Sequence, residues 1–163
     1  MEPGLSSSRE VLVIGIGAGD PEWVTMAAVH AIQSLDVLFV VVKSDELDEL
    51  VEARRVLVDR YRNTPLPIVE LPDPPRPWRS TPDYPAAVAK WRSQRCDQWG
   101  AAIAEHLAEG QVGGFLAWGD PSLYDSTLRI LDEVVEHVEL SYDVIPGITA
   151  VQALTARHRI PLN

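Results

Sequence analysis

An α/β fold, with a mainly parallel sheet flanked by helices, is what this sequence predicts, and three observations predict it. Short, wholly apolar runs, at 11–14 and Val37–Val42 among others, alternate with longer stretches whose apolar residues recur every three or four positions. Runs that are apolar on both faces mark buried parallel strands, because helices cover both sides of such a sheet. Several runs end in turns bearing glycine, proline or aspartate, and 163 residues suit one domain of about 100–200 residues.

Residues 1–9 (MEPGLSSSR) read as a loose tail. The first strand, 11–14, stops at Gly15. A helix follows Asp20-Pro21, with Val24, Ala27, Ala28, Ala31, Ile32 and Leu35 at helical spacing. The second strand is Val37–Val42, and a helix over 45–61 sets Leu47, Leu50, Val51, Val58 and Tyr61 on one side. Eight of the thirteen prolines then crowd into 65–85. Residues 68–71 suit a strand, but 72–85 suit neither helix nor central strand, since proline fixes φ and lacks a donor. This insert reads either as a substrate-facing loop or as a surface connector. A long helix over 84–109 ends at Gly110, a natural C-terminal cap. A strand over 112–118, a helix over 124–137, a strand over 138–145 and a helix over 148–157 complete the order βαβαβαβαβα. The domain therefore spans 10–157, with 158–163 trailing from it.

Formal charge is −10, from 14 basic and 24 acidic residues, and the isoelectric point lies near 4.7. Nucleic-acid binding normally needs a basic face, so no nucleic-acid partner is expected. No apolar run approaches the ~18–20 residues of a membrane span, and no signal-peptide core opens the chain, so the expectation is a cytoplasmic protein off the membrane. The single cysteine, Cys96, has no partner for an internal disulfide, and no ligand set for a metal is evident. Twelve of the basic residues are arginine, the side chain suited to bidentate contact with carboxylates and phosphates.

Ligands of open parallel sheets bind beyond the carboxyl ends of the strands. Three turns fall there. The first, Gly15-Ile16-Gly17-Ala18-Gly19-Asp20-Pro21, is glycine-rich, which lets a ligand approach the backbone. It is not a dinucleotide fingerprint: Asp20 stands where the third glycine belongs, and Val41-Val42-Lys43 lacks the ribose-binding acid. The second, Trp118-Gly119-Asp120-Pro121-Ser122-Leu123-Tyr124-Asp125-Ser126-Thr127, is the densest polar cluster. Asp120 suits a ribose or amine; alternatively Asp120 or Ser122 caps the next helix, with Asp125 an acid of its first turn. The third, Pro146-Gly147-Ile148-Thr149-Ala150, offers a small surface and one hydroxyl, or simply a helix start.

Taken together, G-x-G-x-G-D-P, then G-D-P-S-L-Y, then P-G-I-T-A, ending in R-I-P-L, resemble the tetrapyrrole (corrin/porphyrin) methylases over about 11–163. The resemblance implies the N-terminal domain of a two-domain, S-adenosylmethionine-dependent fold whose cofactor sits in the interdomain cleft. It also implies that 158–163 opens the linker to a C-terminal domain absent from this sequence. The segments 118–131 and 144–163, with Lys43 and the Tyr84, Trp91, Arg95 helix, point within the family to C-methylation of precorrin-5 at C-1 with loss of acetate, in cobalamin biosynthesis. Matching positions assign cofactor contacts to Ala18 (where the family often has proline), Gly119, Asp120, Leu123, Tyr124, Thr149 and Ala150. Tyr124, Asp125 and His158 are candidates for assisting acetyl loss. Lys43, Arg95 and Arg129 are candidate substrate ligands, and Arg76, Arg79 and Arg92 could join them if the insert overhangs the cleft. The implied partners are a small-molecule tetrapyrrole and a second copy in a homodimer. The alternatives are a non-catalytic remnant of such an enzyme, or a methylase of this fold acting on another substrate.

Overall fold

The computed structural model describes residues 8–42 and 47–163. Five parallel strands form one sheet in the order β3-β2-β4-β1-β5, where β1 is Arg9–Gly15, β2 Val37–Val42, β3 Ile68–Pro72, β4 Val112–Ala117 and β5 Leu140–Ile145. The helices are α1 Met26–Ser34, α2 Leu47–Tyr61, α3 Tyr84–His106, α4 Thr127–Val134 and α5 Ala150–His158, with a short 3-10 turn over Pro21–Trp23. The predicted fold class is therefore the observed one.

Alternate residues of the apolar strands feed two cores. On one face Val11, Val13, Phe39 and Phe115 pack with Trp99 and Ile103 of α3 and Ile130, Leu131 and Val134 of α4. On the other, Leu12, Ile14, Leu38, Val40 and Leu116 pack with Ala28 and Ile32 of α1 and Leu57 and Val58 of α2. Phe39, Phe115 and Trp99 stack in sequence, with ring centroids 5.4 and 4.8 Å apart. The connections after β1 and β2 thus run over one face, and those after β3 and β4 over the other. Because β1 and β4 are neighbours whose following chains leave to opposite faces, a crevice opens between their carboxyl ends.

Several boundaries differ from the sequence expectation. Arg9, given to the tail, already opens β1, and its Nε donates to the Leu107 carbonyl at 2.6 Å. The long helix ends at His106 rather than 109, because Leu107 turns to extended backbone and buries its side chain. The Gln111 side chain then accepts the Ala108 N–H, and Gly110 serves the turn at φ +78°. The helix after β4 starts at Thr127, not 124. Tyr124 sits at φ +57°, and the Asp125 carboxylate takes the Thr127 N–H at 2.6 Å. That helix gives way after Val134, and β5 starts at Leu140 because Val138 N–H still bonds back to the Val134 carbonyl.

α5 is the exception to core packing: none of its residues is buried. Its start is held by a reciprocal cap, in which the Thr149 hydroxyl accepts the Gln152 N–H and the Gln152 side chain accepts the Thr149 N–H. With so little burial, that cap carries an unusual share of the helix's stability. Thr149→Ala is expected to cost about 1 kcal/mol locally, seen as faster amide exchange through 150–158 with the exchange of β1 and β4 unchanged.

Candidate functional site

Three loops meet where β4, β1 and β5 end side by side. The loops after β1 and β4 are joined by an isolated antiparallel bridge: Gly119 N–H donates to the Gly17 carbonyl at 2.8 Å, and Gly17 N–H to the Gly119 carbonyl at 3.3 Å. Gly17 and Gly119 adopt φ of +78° and +64°, which side chains resist. The loop after β5 is tied in by Asp120. One carboxylate oxygen accepts the Gly147 N–H at 2.9 Å, and the other accepts the Ser122 N–H at 2.9 Å and the Ser122 hydroxyl. The Ser122 hydroxyl first, with the Gly147 and Ser122 amides, holds the Asp120 carboxyl below its usual range against a smaller opposing effect of burial.

Asp120 and Ser122 therefore do not cap the following helix. Ser126 stands at that cap position without a side-chain bond to the helix amides. The Thr149 polar atoms are likewise engaged, in the cap of α5. What the three loops present is mostly backbone. A Cβ added at Gly19 would meet nothing within 4 Å, and one at Gly119 would find Thr149 Cα at 3.6 Å, so an open cradle lies along this edge. Ala18, Gly119, Asp120 and Thr149 belong to these loops, and Ala150 opens α5 directly after the third.

Beside the cradle lie two adjoining cavities of about 290 and 350 Å³ that share Asp73, Arg95, Tyr124, Asp125 and Ser126. Arg95 of α3 is 5% exposed. Its Nε lies 2.8 Å from Asp73 Oδ1, its Nη1 donates to the Ser126 hydroxyl at 2.8 Å, and its guanidinium carbon sits 4.8 and 5.0 Å from the Trp91 and Trp99 ring centres. One side chain thus ties β3, α3 and the start of α4 together. The Trp91 indole N–H donates to the Pro74 carbonyl at 2.8 Å, fastening the proline-rich segment to α3.

Arg54 of α2, not singled out by the sequence reading, lines the smaller cavity. Its Nε donates to the Leu116 carbonyl at 3.2 Å, and its guanidinium lies 5.5 Å from the Trp118 ring centre. Burial pushes the Arg54 and Arg95 guanidinium groups below their ordinary pKa; Asp125 opposes the shift in both, and Asp73 opposes it more strongly in Arg95. Asp73 was also missed. The signal available was the spacing Trp91, Arg95, Trp99, four residues apart on a helix, which stacks an arginine between two indoles and demands a buried anion nearby.

The cavities bring Tyr124, Asp125, Arg95 and Arg129 together, with Arg76 and Arg92 on the wall of the larger one. Leu123 is exposed in the adjoining turn. His158, at the end of α5, lines neither cavity. Lys43 falls outside the described residues. The start of the proline-rich segment forms cavity wall through Asp73 and Arg76, while Trp78 points into solvent.

An α/β cleft domain with a backbone cradle at its switch point is the class this geometry defines. The family model for Tetrapyrrole (Corrin/Porphyrin) Methylases matches residues 10–163, and the chain belongs to that family. It is 44% identical over 158 residues to a precorrin-6A synthase [deacetylating] of Sinorhizobium sp, covering 95% of this chain and 60% of that protein. It is 31% identical over 156 residues to a precorrin-2 C(20)-methyltransferase of Sinorhizobium sp, covering 91% of this chain and 58% of that one. Among solved structures, a cobalamin synthesis related protein (CobF) from Corynebacterium diphtheriae superposes with a TM-score of 0.77 at 35% identity, over 96% of this chain and 60% of its own. The chain thus spans about 60% of the length of these relatives. No helix among the described residues is long and apolar enough to cross a membrane.

Proposed function

We propose that this chain forms the cofactor-binding part of an S-adenosylmethionine-dependent methyltransferase that converts precorrin-5 to precorrin-6A. The observation that carries the reading is the cradle: three loops locked edge to edge by the Gly17–Gly119 bridge and the Asp120–Gly147 bond, in a chain 44% identical to a precorrin-6A synthase. When bound, S-adenosylmethionine supplies an electrophilic methyl group. The reaction forms a carbon–carbon bond at C-1 and breaks the sulfur–methyl bond; one water is consumed and acetate leaves.

The chain's own residues bind and orient. Backbone groups of Ala18 and Gly19, and those before Thr149, suit the polar edges of the nucleoside and amino-acid parts, and Asp120 fixes the spacing between two of the loops. Tyr124 and Asp125, at the mouth of both cavities, are the residues best located to hold a water for acetyl loss; His158 has no comparable position. In this reading the protein works in the cytoplasm as a homodimer.

Calorimetric titration of the chain with S-adenosylhomocysteine tests the reading. Saturable 1:1 binding is expected, weakened about tenfold by Asp120→Ala, roughly the loss of one charge-assisted hydrogen bond. No binding by a chain with intact far-UV circular dichroism overturns it. The pH dependence follows from the depressed Asp120 carboxyl. Because its folded value lies below the unfolded one of about 3.9, the loop tie is complete above that value and is lost as pH falls through the lower folded one. Affinity contributed by Asp120 should therefore be flat from about pH 5 to 8 and decline only below about pH 4.

A further inference from the structure

We propose that the larger cavity, between α3, the proline-rich segment and α4, is a subsite for carboxylate arms of the substrate, with Arg76, Arg92 and Arg129 as its ligands. The proposal rests on the tetrapyrrole reading above and names the groups that would grip the substrate's acidic periphery.

Charge is the first argument. The chain carries −10, yet four arginines and two aspartates line this one cavity. Arg95 is spent on Asp73 and Ser126, so that pair contributes a fixed, nearly neutral wall. One oxygen of Asp125 takes the Thr127 amide. What faces solvent is three guanidinium groups against one carboxylate. Arg76, Arg92 and Arg129 are all exposed, and none forms an ion pair among the described residues. The Arg76 guanidinium carbon rests 5.6 Å from the Trp91 ring centre, a cation–π contact that consumes none of its N–H donors. Three like charges gathered on an acidic protein repel one another, and an anion removes that cost. Guanidinium forks match carboxylates two bonds at a time, and a polycarboxylate can engage several forks at once.

Architecture is the second argument. The wall behind these arginines does not yield: Arg95 is held at Nε and Nη1 between two indoles, and Pro74 is fastened to Trp91. The cavity meets its smaller neighbour at Tyr124, whose fully exposed ring stands on left-handed backbone at φ +57°. A flat macrocycle lying against Tyr124 would extend its acidic arms toward the arginines while its ring remained near the cradle.

The test is an absorbance and fluorescence titration of the chain with uroporphyrin III, a stable polycarboxylate tetrapyrrole. The wild-type chain should bind it saturably, and a triple Arg76→Ala, Arg92→Ala, Arg129→Ala variant should bind about tenfold or more weakly. Because all three side chains are exposed, that variant should melt close to the wild type. A second triple variant, Arg55→Ala, Arg60→Ala, Arg157→Ala, removes the same charge elsewhere and should bind like the wild type. Equal weakening in both variants would mean general charge steering and overturn the subsite. Absence of uroporphyrin binding by the wild type, or unchanged binding by the first variant, would overturn it too. Titration of the same proteins with S-adenosylhomocysteine separates the two claims. Arginine-dependent porphyrin binding without S-adenosylhomocysteine binding keeps the subsite and defeats the methyl-transfer reading; the reverse pattern defeats the subsite alone.

Discussion

Replacing Arg95 with alanine is expected to destabilise the chain by about 3–5 kcal/mol, read as a shift in urea midpoint at unchanged m-value. The side chains of Arg95 and Asp73 are only 6% and 7% exposed. Truncation leaves the Asp73 carboxylate in a poorly solvated site without its guanidinium, and it also empties the slot between Trp91 and Trp99. The loss should be felt in three elements at once, since Asp73 N–H bonds the last residue of β2 and Ser126 stands at the start of α4. The informative comparison is Asp73→Asn with Arg95→Met. A neutral pair carries no buried charge, so the double variant should recover at least half of the single variant's loss. A loss below about 1 kcal/mol for Arg95→Ala would mean that water reaches the pair freely and that the wall of the proposed subsite is not fixed.

That ion pair also marks the limit of what could be read from the sequence. The strand Val37–Val42 was legible to the residue, because six consecutive apolar β-formers between polar neighbours leave no other register. The three glycine- and proline-bearing turns were legible as a set, because parallel strands send their carboxyl-end loops to one edge. Their internal wiring was not. Asp120 had the chemistry of a helix cap, and only the β4-β1-β5 order, which puts Gly147 beside Gly119, redirects its carboxylate across the crevice.

The residues after Pro121 repeat the lesson. Leu123, Thr127, Ile130, Leu131 and Val134 have helical spacing, yet the first turn of that helix never forms. Tyr124 takes left-handed backbone and Asp125 diverts the Thr127 amide, which delivers both side chains to the cavity mouth. Local periodicity is outvoted here by the tertiary geometry of the turn, which is where sequence reading should fail. Trp91, Arg95 and Trp99 show the converse. Their spacing was visible, but the anion they needed lies beyond a proline-rich stretch with no periodicity to place it.

The cradle itself is most sharply tested at Gly147. A Cβ built there would lie 2.0 Å from the Gly119 carbonyl oxygen and 2.9 Å from both the carbonyl carbon and Cα of Gly15. All three are backbone atoms, of the loop after β4 and the end of β1, so no side chain can swing aside; the backbone segments must part. Gly147→Ala should therefore cost about 3 kcal/mol or more, the upper end of overpacking penalties. It should also break the Asp120 bond to the Gly147 amide and the spacing that the Gly17–Gly119 bridge maintains. S-adenosylhomocysteine binding should fall by about a hundredfold or more, roughly the free-energy equivalent of that penalty. Gly100→Ala is the matched control. Its added methyl would meet the Val138 side chain at 3.3 Å, a contact that a rotamer adjustment relieves, while the helix gains about 1 kcal/mol of propensity. That variant should melt within a few degrees of the wild type and bind normally. Should Gly147→Ala bind S-adenosylhomocysteine as well as Gly100→Ala does, the close approach of these three loops is dispensable, and the cofactor does not depend on the cradle they form.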